Sequence, residues 1–287
     1  MAKYFTVEVI PTIAASTQVE NSADDLLFDW TSFQVPRGPN KLISATVVMR
    51  GTNGSDQDTG KADLDLVFAK TIKGVAPGTL GTPNLTINAK PGVSNHIIGM
   101  THIDASGDYG AAGFDHFSVG STGSGAAGSL IPTCVLQGEL SSGDNVGFDT
   151  LYLGGVAGNG AGSGGIDFGT GVLLDDDVDI SGSNGTITTL DGTACDVAFA
   201  VGDIIHVNGT STTDIILGEV ISIDSNNIEF RHDGGIGGTN DPTGSYVVPA
   251  DLAAWRIQNG AGAAGDLANN DELFNIHPIK IILSFER

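Results

Sequence analysis

The sequence predicts an all-β protein, with a β-sandwich or jelly-roll-like host domain that carries a small inserted β-barrel or β-sandwich domain. Glycine supplies 42 of the 287 residues and only 16% of residues are charged, so strong helix formers such as Lys and Glu are scarce. Short runs rich in Val, Ile and Thr recur between Gly, Asn and Asp residues, which is the pattern of strands and turns. Two Gly/Ala-rich segments also separate regions of different charge.

Alternating or continuous apolar runs predict the strands of the host domain. In residues 3–11, Phe5, Val7 and Val9 share one face of a half-buried strand. Further strands are predicted at residues 26–35, 42–50, 64–70, 97–103, 130–136, 146–153 and 276–286. Residues 71–95 are predicted to be an excursion with one short strand at 85–87. Residues 107–129 are predicted to be a long ordered loop or arm, because Phe114 and Phe117 favour burial.

The inserted domain is predicted from composition. Residues 154–165 (GGVAGNGAGSGG) indicate a linker or a domain boundary, and residues 260–265 form a second Gly/Ala-rich segment. Residues 154–248 contain 14 acidic residues and one basic residue, and within them residues 197–230 are typical of a tight antiparallel meander. We therefore predict a host domain at 1–155 plus 250–287, and an inserted acidic Gly-rich β domain at 160–248. Two sequential domains are the alternative.

The charge and the cysteines limit the classes of partner. A net charge of −22 repels phosphates and anionic lipids, so neither direct nucleic-acid binding nor membrane binding is expected. No apolar run approaches the roughly 20 residues that span a membrane, and the first residues lack the apolar segment of a signal peptide. Cys134 and Cys195 form no CxxC motif and are predicted to be free thiols, with a disulfide as the alternative. Synthesis in a cytoplasm is expected.

One group of carboxylates is a candidate metal site. Asp175, Asp177 and Asp179 would share one face of a strand and present the oxygen ligands that Ca²⁺ prefers. A solvated edge that discourages strand pairing is the favoured alternative, and no other cofactor is predicted. A second candidate combines three histidines with three aspartates, although no spacing fixes a geometry for them. They are His96, His102, His116, Asp104, Asp108 and Asp115.

No catalytic motif is present in the sequence. There is no phosphate-binding P-loop, and the serine of Gly162-Ser163-Gly164 lies in a low-complexity segment without the strand–turn–helix context of a nucleophile elbow. Glycosidase carboxylates cannot be chosen from sequence among 34 acidic residues. The chain is therefore predicted not to be an enzyme, and no catalytic residue is assigned.

Three segments carry a resemblance to a known class of proteins. They are LLFDWTSFQVPRG at 26–38, LISATVVMRGTNG at 42–54 and IHPIKIILSFER at 276–287. With the opening strand they resemble virion structural proteins of tailed bacteriophages, particularly those of marine cyanobacteria. The resemblance covers about half of the chain, and the acidic insert is not matched.

The resemblance implies a non-enzymatic component present in many copies on the virion, most simply a capsid decoration or cement protein made in the host cytoplasm. The implied partners are the major capsid protein or other virion proteins, and further copies of the chain in a homo-oligomer such as a trimer. A tail or host-attachment component that binds a cell-surface glycan is one alternative function. A glycan-degrading β enzyme that uses an acidic pair is another.

Overall fold

A computed structural model shows a chain made mostly of β-strands with almost no helix, and every described strand pairing is antiparallel, which confirms the all-β class. Among the described residues, no helix combines the length and the apolar character needed to cross a membrane. The structure describes residues 3–13, 18, 21–50, 63–87, 90–103, 118–121, 134–139, 147–158, 168, 171–173, 178–181, 184–187, 195–208, 215–224, 227–231 and 272–287.

The described elements follow one another along the chain with two short helices among the strands. They are β1 (Tyr4–Val9), β2 (Leu26–Pro36), β3 (Asn40–Met49), β4 (Leu64–Lys70), α1 (Pro91–Ser94), β5 (Ile97–Ile103), β6 (Ser118–Ser121), β7 (Val135–Leu136), β8 (Phe148–Ala157), β9 (Val172–Leu173), β10 (Val178–Ser181), β11 (Asn184–Ile187), α2 (Cys195–Ala198), β12 (Ile204–Asn208), β13 (Ile215–Asp224), β14 (Asn227–Arg231), β15 (Glu272–Asn275) and β16 (Ile279–Glu286).

The first sheet joins the two ends of the described chain. Among the described residues its order is β1-β16-β3-β6, and β7 also pairs with β3. β16 lies between β1 and β3, with Leu283 opposite Val7 on one side and Ala45 on the other. The strand predicted at 276–286 is therefore confirmed as β16, and it pairs with the opening strand β1.

The second sheet has the order β2-β8-β4-β5 in the described part of the chain. It shares one buried core with the first sheet. In β16 the four alternating core side chains are all fully buried: Ile279, Ile281, Leu283 and Phe285. The second sheet contributes Phe28, Leu66, Phe68, Leu151 and Leu153, all at most 1% exposed. Each such side chain stabilises the folded chain by about 1.5–3 kcal/mol relative to exposure.

Residues 76–87, here called the strap, cross the other face of the second sheet. Leu80 is 2% exposed and packs in a small cluster with Leu26 and Trp30. The Trp30 indole N–H donates to the carbonyl oxygen of Gly78 at 2.7 Å, and the Leu80 N–H donates to Asp29 Oδ1 at 3.0 Å. The strand predicted at 85–87 is reduced to an isolated bridge, Asp25 to Thr86. Backbone hydrogen bonds join this part of the strap to the start of β2: the Leu26 N–H donates to the Leu85 carbonyl oxygen at 3.0 Å, and the Ile87 N–H donates to the Asp24 carbonyl oxygen at 3.1 Å.

Trp30→Phe is expected to loosen the strap while keeping an aromatic ring in the cluster. Loss of the hydrogen bond to Gly78 removes about 1 kcal/mol from the free energy of unfolding, measured by urea denaturation. Hydrogen exchange of the Leu80 amide should accelerate. Val75→Ala is the control, because Val75 is 63% exposed and should change stability by less than about 0.5 kcal/mol. Equal exchange in the wild type and Trp30→Phe would contradict the role of the indole.

The third sheet has the order β10-β11-β14-β13-β12-β15-β9 among the described residues. β12, β13 and β14 are consecutive antiparallel neighbours, so the predicted meander is confirmed in its strands. Its first residues are different: the helix α2 occupies 195–198, and Ala200 and Asp203 form a turn. β15 pairs with β12 and β9, although the predicted host begins again at residue 250. The domain limits themselves stay a prediction.

The first predicted linker is wrong at its start. Residues 154–157 belong to β8, where Gly155 lies opposite Phe28 and Leu66 in the second sheet. A Cβ on Gly155 would meet the Phe28 ring at 2.2 Å, and one on Gly154 would meet Leu80 Cδ1 at 2.5 Å. Because Gly154 and Gly155 have no side chains, Leu80 and Phe28 can pack directly against the backbone of β8. Glycine at these positions therefore reflects close packing and not the flexibility of a linker.

Candidate functional site

The predicted calcium ligands lie mostly beyond what the structure describes. Asp175 and Asp177 are outside the described residues. Asp179 lies in β10, where its backbone is in register with Thr186 of β11, and the structure describes nothing of its side chain. Within the described part of the chain, no group of three or more His, Cys, Asp or Glu side chains is arranged to hold a metal ion. The calcium site stays a prediction.

The predicted His/Asp cluster is not assembled by its described members. His96 precedes β5 and its Nδ1 lies 2.8 Å from the Lys70 carbonyl oxygen. His102 is six residues further along the chain, in the extended strand β5, about 20 Å away at about 3.3 Å per residue. His116, Asp104, Asp108 and Asp115 are outside the described residues. His96 and His102 therefore belong to two separate places.

His102 does contact two carboxylates, and neither belongs to the predicted His/Asp cluster. Its Nδ1 is 2.8 Å from Asp65 Oδ1, and its Nε2 is 3.6 Å from Asp63 Oδ2. Asp65 and His102 are cross-strand partners between β4 and β5. The His102 side chain is 49% exposed. These contacts link β5 to β4 and to Asp63, the residue before β4.

The two cysteines are free thiols in the structure. Cys195 is fully buried, and burial, followed by the nearby Asp196 and Asp224 charges, raises its pKa to about 11. Burial also raises the pKa of Cys134, whose Sγ occupies the space beside Gly99 in β5. A thiol of raised pKa is a poor nucleophile at neutral pH, so both cysteines act as small packing residues.

A network of buried polar groups joins the first sheet to the third, and we call it the junction. Arg50, which follows β3, forms an ion pair with Asp203, which precedes β12. The two side chains are only 15% and 13% exposed. Asp203 Oδ2 also accepts from the Ala200 N–H at 2.8 Å, and the Arg50 N–H donates to the Pro278 carbonyl oxygen at 2.9 Å.

The chain between β15 and β16 completes the junction. The Ile276 N–H donates to the Ile204 carbonyl oxygen of the third sheet, and the Ile276 carbonyl oxygen accepts from the Ile13 N–H. Gln18, fully buried, donates to the carbonyl oxygens of Ile13 and Asn275. Burial lowers the pKa of His277, and the nearby Asp203 charge partly opposes this shift. Sequence reasoning missed the junction, because its members come from four separate segments, at residues 13–18, 50, 200–204 and 275–278.

The outer face of the first sheet is polar and paired. Lys280 Nζ lies 3.1 Å from Glu8 Oε1, and Lys41 Nζ lies 3.4 Å from Glu286 Oε2. The Tyr4 hydroxyl donates to Glu286 Oε1 at 3.4 Å, and Tyr4 itself is 68% exposed. Such exposed pairs contribute at most about 1 kcal/mol each. The face therefore combines two Lys–Glu ion pairs with an exposed aromatic ring.

A carboxylate fastens the segment after β7 to the turn after β4. Lys73 and Gly74 have φ values of 53° and 76°, so their N–H groups point the same way from a tight turn. Glu139 accepts from both, with Oε2 at 2.7 Å from the Gly74 nitrogen. The Gly74 hydrogen bond, with a smaller effect from Lys73, holds the pKa of Glu139 below its ordinary value.

Glu139→Gln is expected to lower thermal stability in a pH-dependent way. Because the pKa of Glu139 is lower in the folded than in the unfolded chain, its contribution is present above the unfolded value, about 4.3, and is lost as pH falls through the folded value. The difference in Tm between the wild type and Glu139→Gln should therefore be largest near neutral pH and vanish in strong acid. Glu219→Gln is the control, because it makes the same change at an exposed residue of another sheet. A difference independent of pH would contradict this account.

Comparison with models of known protein families gives no match, and comparison with curated protein sequences gives none either. The structure by itself shows antiparallel sheets, a largely buried polar junction between the first and third sheets, and a first sheet whose outer face carries ion pairs.

Proposed function

We propose that the protein is a bacteriophage virion structural protein, most simply a capsid decoration or cement protein. One observation carries the proposal: the three segments that resemble such proteins form β2, β3 and β16, and all three contribute to one core shared by two sheets. The resemblance thus follows a physical unit of the fold. In this proposal that unit is a β-sandwich or jelly-roll-like host.

The outer face of the first sheet is the proposed docking surface on the particle. It presents Tyr4 together with the Lys41–Glu286 and Lys280–Glu8 pairs on a three-strand platform. An exposed tyrosine among polar side chains is typical of residues that become buried at protein interfaces. The proposed partners are the major capsid protein or other virion proteins, and copies of the chain itself, with location on the virion after synthesis in the host cytoplasm.

Immunogold labelling of purified virions tests the proposal directly. Label distributed over the capsid is expected, and treatment with a mild chaotrope should release the protein while the DNA stays packaged. Label confined to the tail would favour the host-attachment alternative, and a glycan array probed with the whole chain would then test for sugar binding. Absence of the protein from washed virions would overturn the proposal.

A further inference from the structure

The opening strand β1 forms an outer edge of the first sheet. It pairs with β16 on one side, and no strand of the described chain pairs with it on the other. Lys3 and Arg287 exchange two backbone hydrogen bonds, of 3.1 and 2.9 Å. Since such pairs alternate along an antiparallel ladder, the N–H and C=O groups of Tyr4, Thr6 and Glu8 point away from β16. Among the described residues none bonds to these six groups.

The other sheet edges are short or irregular in the part of the chain that the structure describes. β6, β7, β9 and β10 have two to four residues each. β2 and β5 are interrupted by register shifts against their neighbours, and β2 also bonds to the strap through Leu26. β1 has six residues, an unbroken register with β16 and neither Pro nor Gly. Because shortness and irregularity protect an edge from further pairing, β1 is the edge best suited to receive another strand.

Two apolar side chains of β1 are incompletely covered at this edge. Phe5 and Val7 pack against the core shared by the first two sheets, yet both are only half-buried. Their cross-strand neighbours in β16, Phe285 and Leu283, are fully buried. The apolar surface that Phe5 and Val7 expose therefore lies on the side of β1 away from β16, and a further strand at the edge would bury it.

We propose that β1 pairs antiparallel with β1 of a second copy, so that the first sheet continues across a two-fold axis at Thr6. In this register Thr6 lies opposite Thr6 of the second copy, Tyr4 lies opposite Glu8, and Phe5 lies opposite Val7. The outward N–H and C=O groups of all three edge residues then bond across the axis. Because the same strand is used by both copies, the contact is isologous and closes at a dimer.

The side chains of β1 complement a second β1 in this register. Thr–Thr pairs and pairs of an aromatic with a β-branched residue are among the favourable cross-strand pairs, and the axis at Thr6 produces both kinds. Tyr4 already bonds its cross-strand glutamate in β16, Glu286, and the second copy places another glutamate, Glu8, on its other side. This self-complementarity selects a second copy as the occupant. The inference deepens the proposed function and rests on its premise that many copies meet on one particle.

The contact strand is balanced in charge, whereas the whole chain is not. Within residues 3–9, Lys3 and Glu8 are the charged residues, and Glu8 is also paired with Lys280 at 3.1 Å. The net charge of −22 on each copy still makes two copies repel at long range. The Debye length is about 30 Å at 0.01 M salt and about 10 Å at 0.1 M, so salt weakens this repulsion and leaves the backbone hydrogen bonds in place. Association should therefore strengthen as salt rises.

Sedimentation velocity of the whole chain at about 0.01 M and 0.1 M salt tests the association. We expect a dimer whose dissociation constant falls at the higher salt concentration. Thr6→Pro removes an N–H that takes no part in the pairing with β16, which is where an edge strand tolerates Pro. Two hydrogen bonds across the axis are lost, so the dissociation constant should rise by about tenfold or more. Thr6→Val is the matched control, because it keeps the N–H and a β-branched side chain, and circular dichroism shows whether each variant is folded.

Oxidative cross-linking tests the register and does not depend on the folding of Thr6→Pro. Opposite residues of a hydrogen-bonded antiparallel pair have Cα atoms about 5.5 Å apart, within the range that a disulfide spans. Thr6→Cys should therefore form a covalent dimer by itself under copper-catalysed air oxidation. Tyr4→Cys and Glu8→Cys should each stay uncross-linked alone and form a covalent heterodimer when mixed. The wild type is the control, because it contains the native Cys134 and Cys195.

A wild type that stays monomeric at both salt concentrations would overturn the inference. A folded Thr6→Pro variant that associates as tightly as Thr6→Val would do the same, as would a mixture of Tyr4→Cys and Glu8→Cys that yields no heterodimer. Cross-linking of Thr6→Cys in virions to a different protein, in place of a second copy, would assign the edge to that protein and also overturn it. Virion labelling separates this inference from the proposed function: a monomeric chain found on virions refutes the inference alone, and a β1-paired dimer absent from virions refutes the function alone.

Discussion

Gly155→Ala is expected to destabilise the folded protein by about 3 kcal/mol, the upper range for overpacking a core with one methyl group. The new Cβ would lie 2.2–2.8 Å from three atoms of the Phe28 ring, and Phe28 is 1% exposed and unable to turn into solvent. The ring or the β8 backbone must therefore shift within a core that takes side chains from two sheets. Urea denaturation measures the loss as a lower midpoint with an unchanged slope.

Gly92→Ala is the matched control for this substitution. No atom lies within 4 Å of a Cβ placed on Gly92 in α1, so the same added methyl group should be neutral or stabilise by about 0.5 kcal/mol. Phe28→Leu combined with Gly155→Ala should cost less than the sum of the two single changes, since the smaller side chain relieves the clash. If the stability losses of the two single variants simply add in the double variant, the Phe28 ring is not the group that clashes with a side chain at position 155.

Asp203→Ala is expected to lower the free energy of unfolding by about 3 kcal/mol, in the range measured when one member of a largely buried ion pair is removed. The change leaves the Arg50 guanidinium without its carboxylate and the Ala200 N–H without its acceptor. Amides of β12 and β15 should also exchange faster, because the junction holds the third sheet to the first. Hydrogen exchange with mass spectrometry and urea denaturation measure the two effects.

Glu286→Gln is the control for the ion pair, because Lys41 and Glu286 are 48% and 31% exposed and an exposed pair contributes at most about 1 kcal/mol. Arg50→Met/Asp203→Ala should recover part of the stability lost in Asp203→Ala, because no buried charge is left unpaired. If the double variant is as unstable as the two losses added together, the pair does not couple the two sheets.

Period-two alternation identified most strands of the first two sheets before their partners were known. The runs at 64–70 and 97–103 coincide with β4 and β5, and the inward residues of 276–286 are fully buried. The wrong expectations share a cause. Composition alone favours a linker at Gly154 and Gly155, because glycine has no side chain that reveals its surroundings. In the structure the side chains of Phe28, Trp30 and Leu80 fill the space beside these glycines.

The candidate sites show the same division. Proximity in the sequence predicts a group of carboxylates at Asp175, Asp177 and Asp179, of which the structure describes only the backbone of Asp179. No local pattern predicts the ion pair of Arg50 and Asp203, which are 153 residues apart. Likewise the contact of His102 with Asp65 depends on the register between β4 and β5. The sequence of neither strand alone predicts that register.

The sequence by itself determined the all-β class, the approximate strands, the acidic bias of the middle region and the scarcity of basic residues. These depend on local periodicity and composition, which act within a few residues. The tertiary structure alone decided which strands pair, how Arg50 and Asp203 meet, and that β1 lies at an outer edge of the first sheet. Those features depend on contacts between residues distant in the chain, where chain closure and core packing, and not local preference, select the partner.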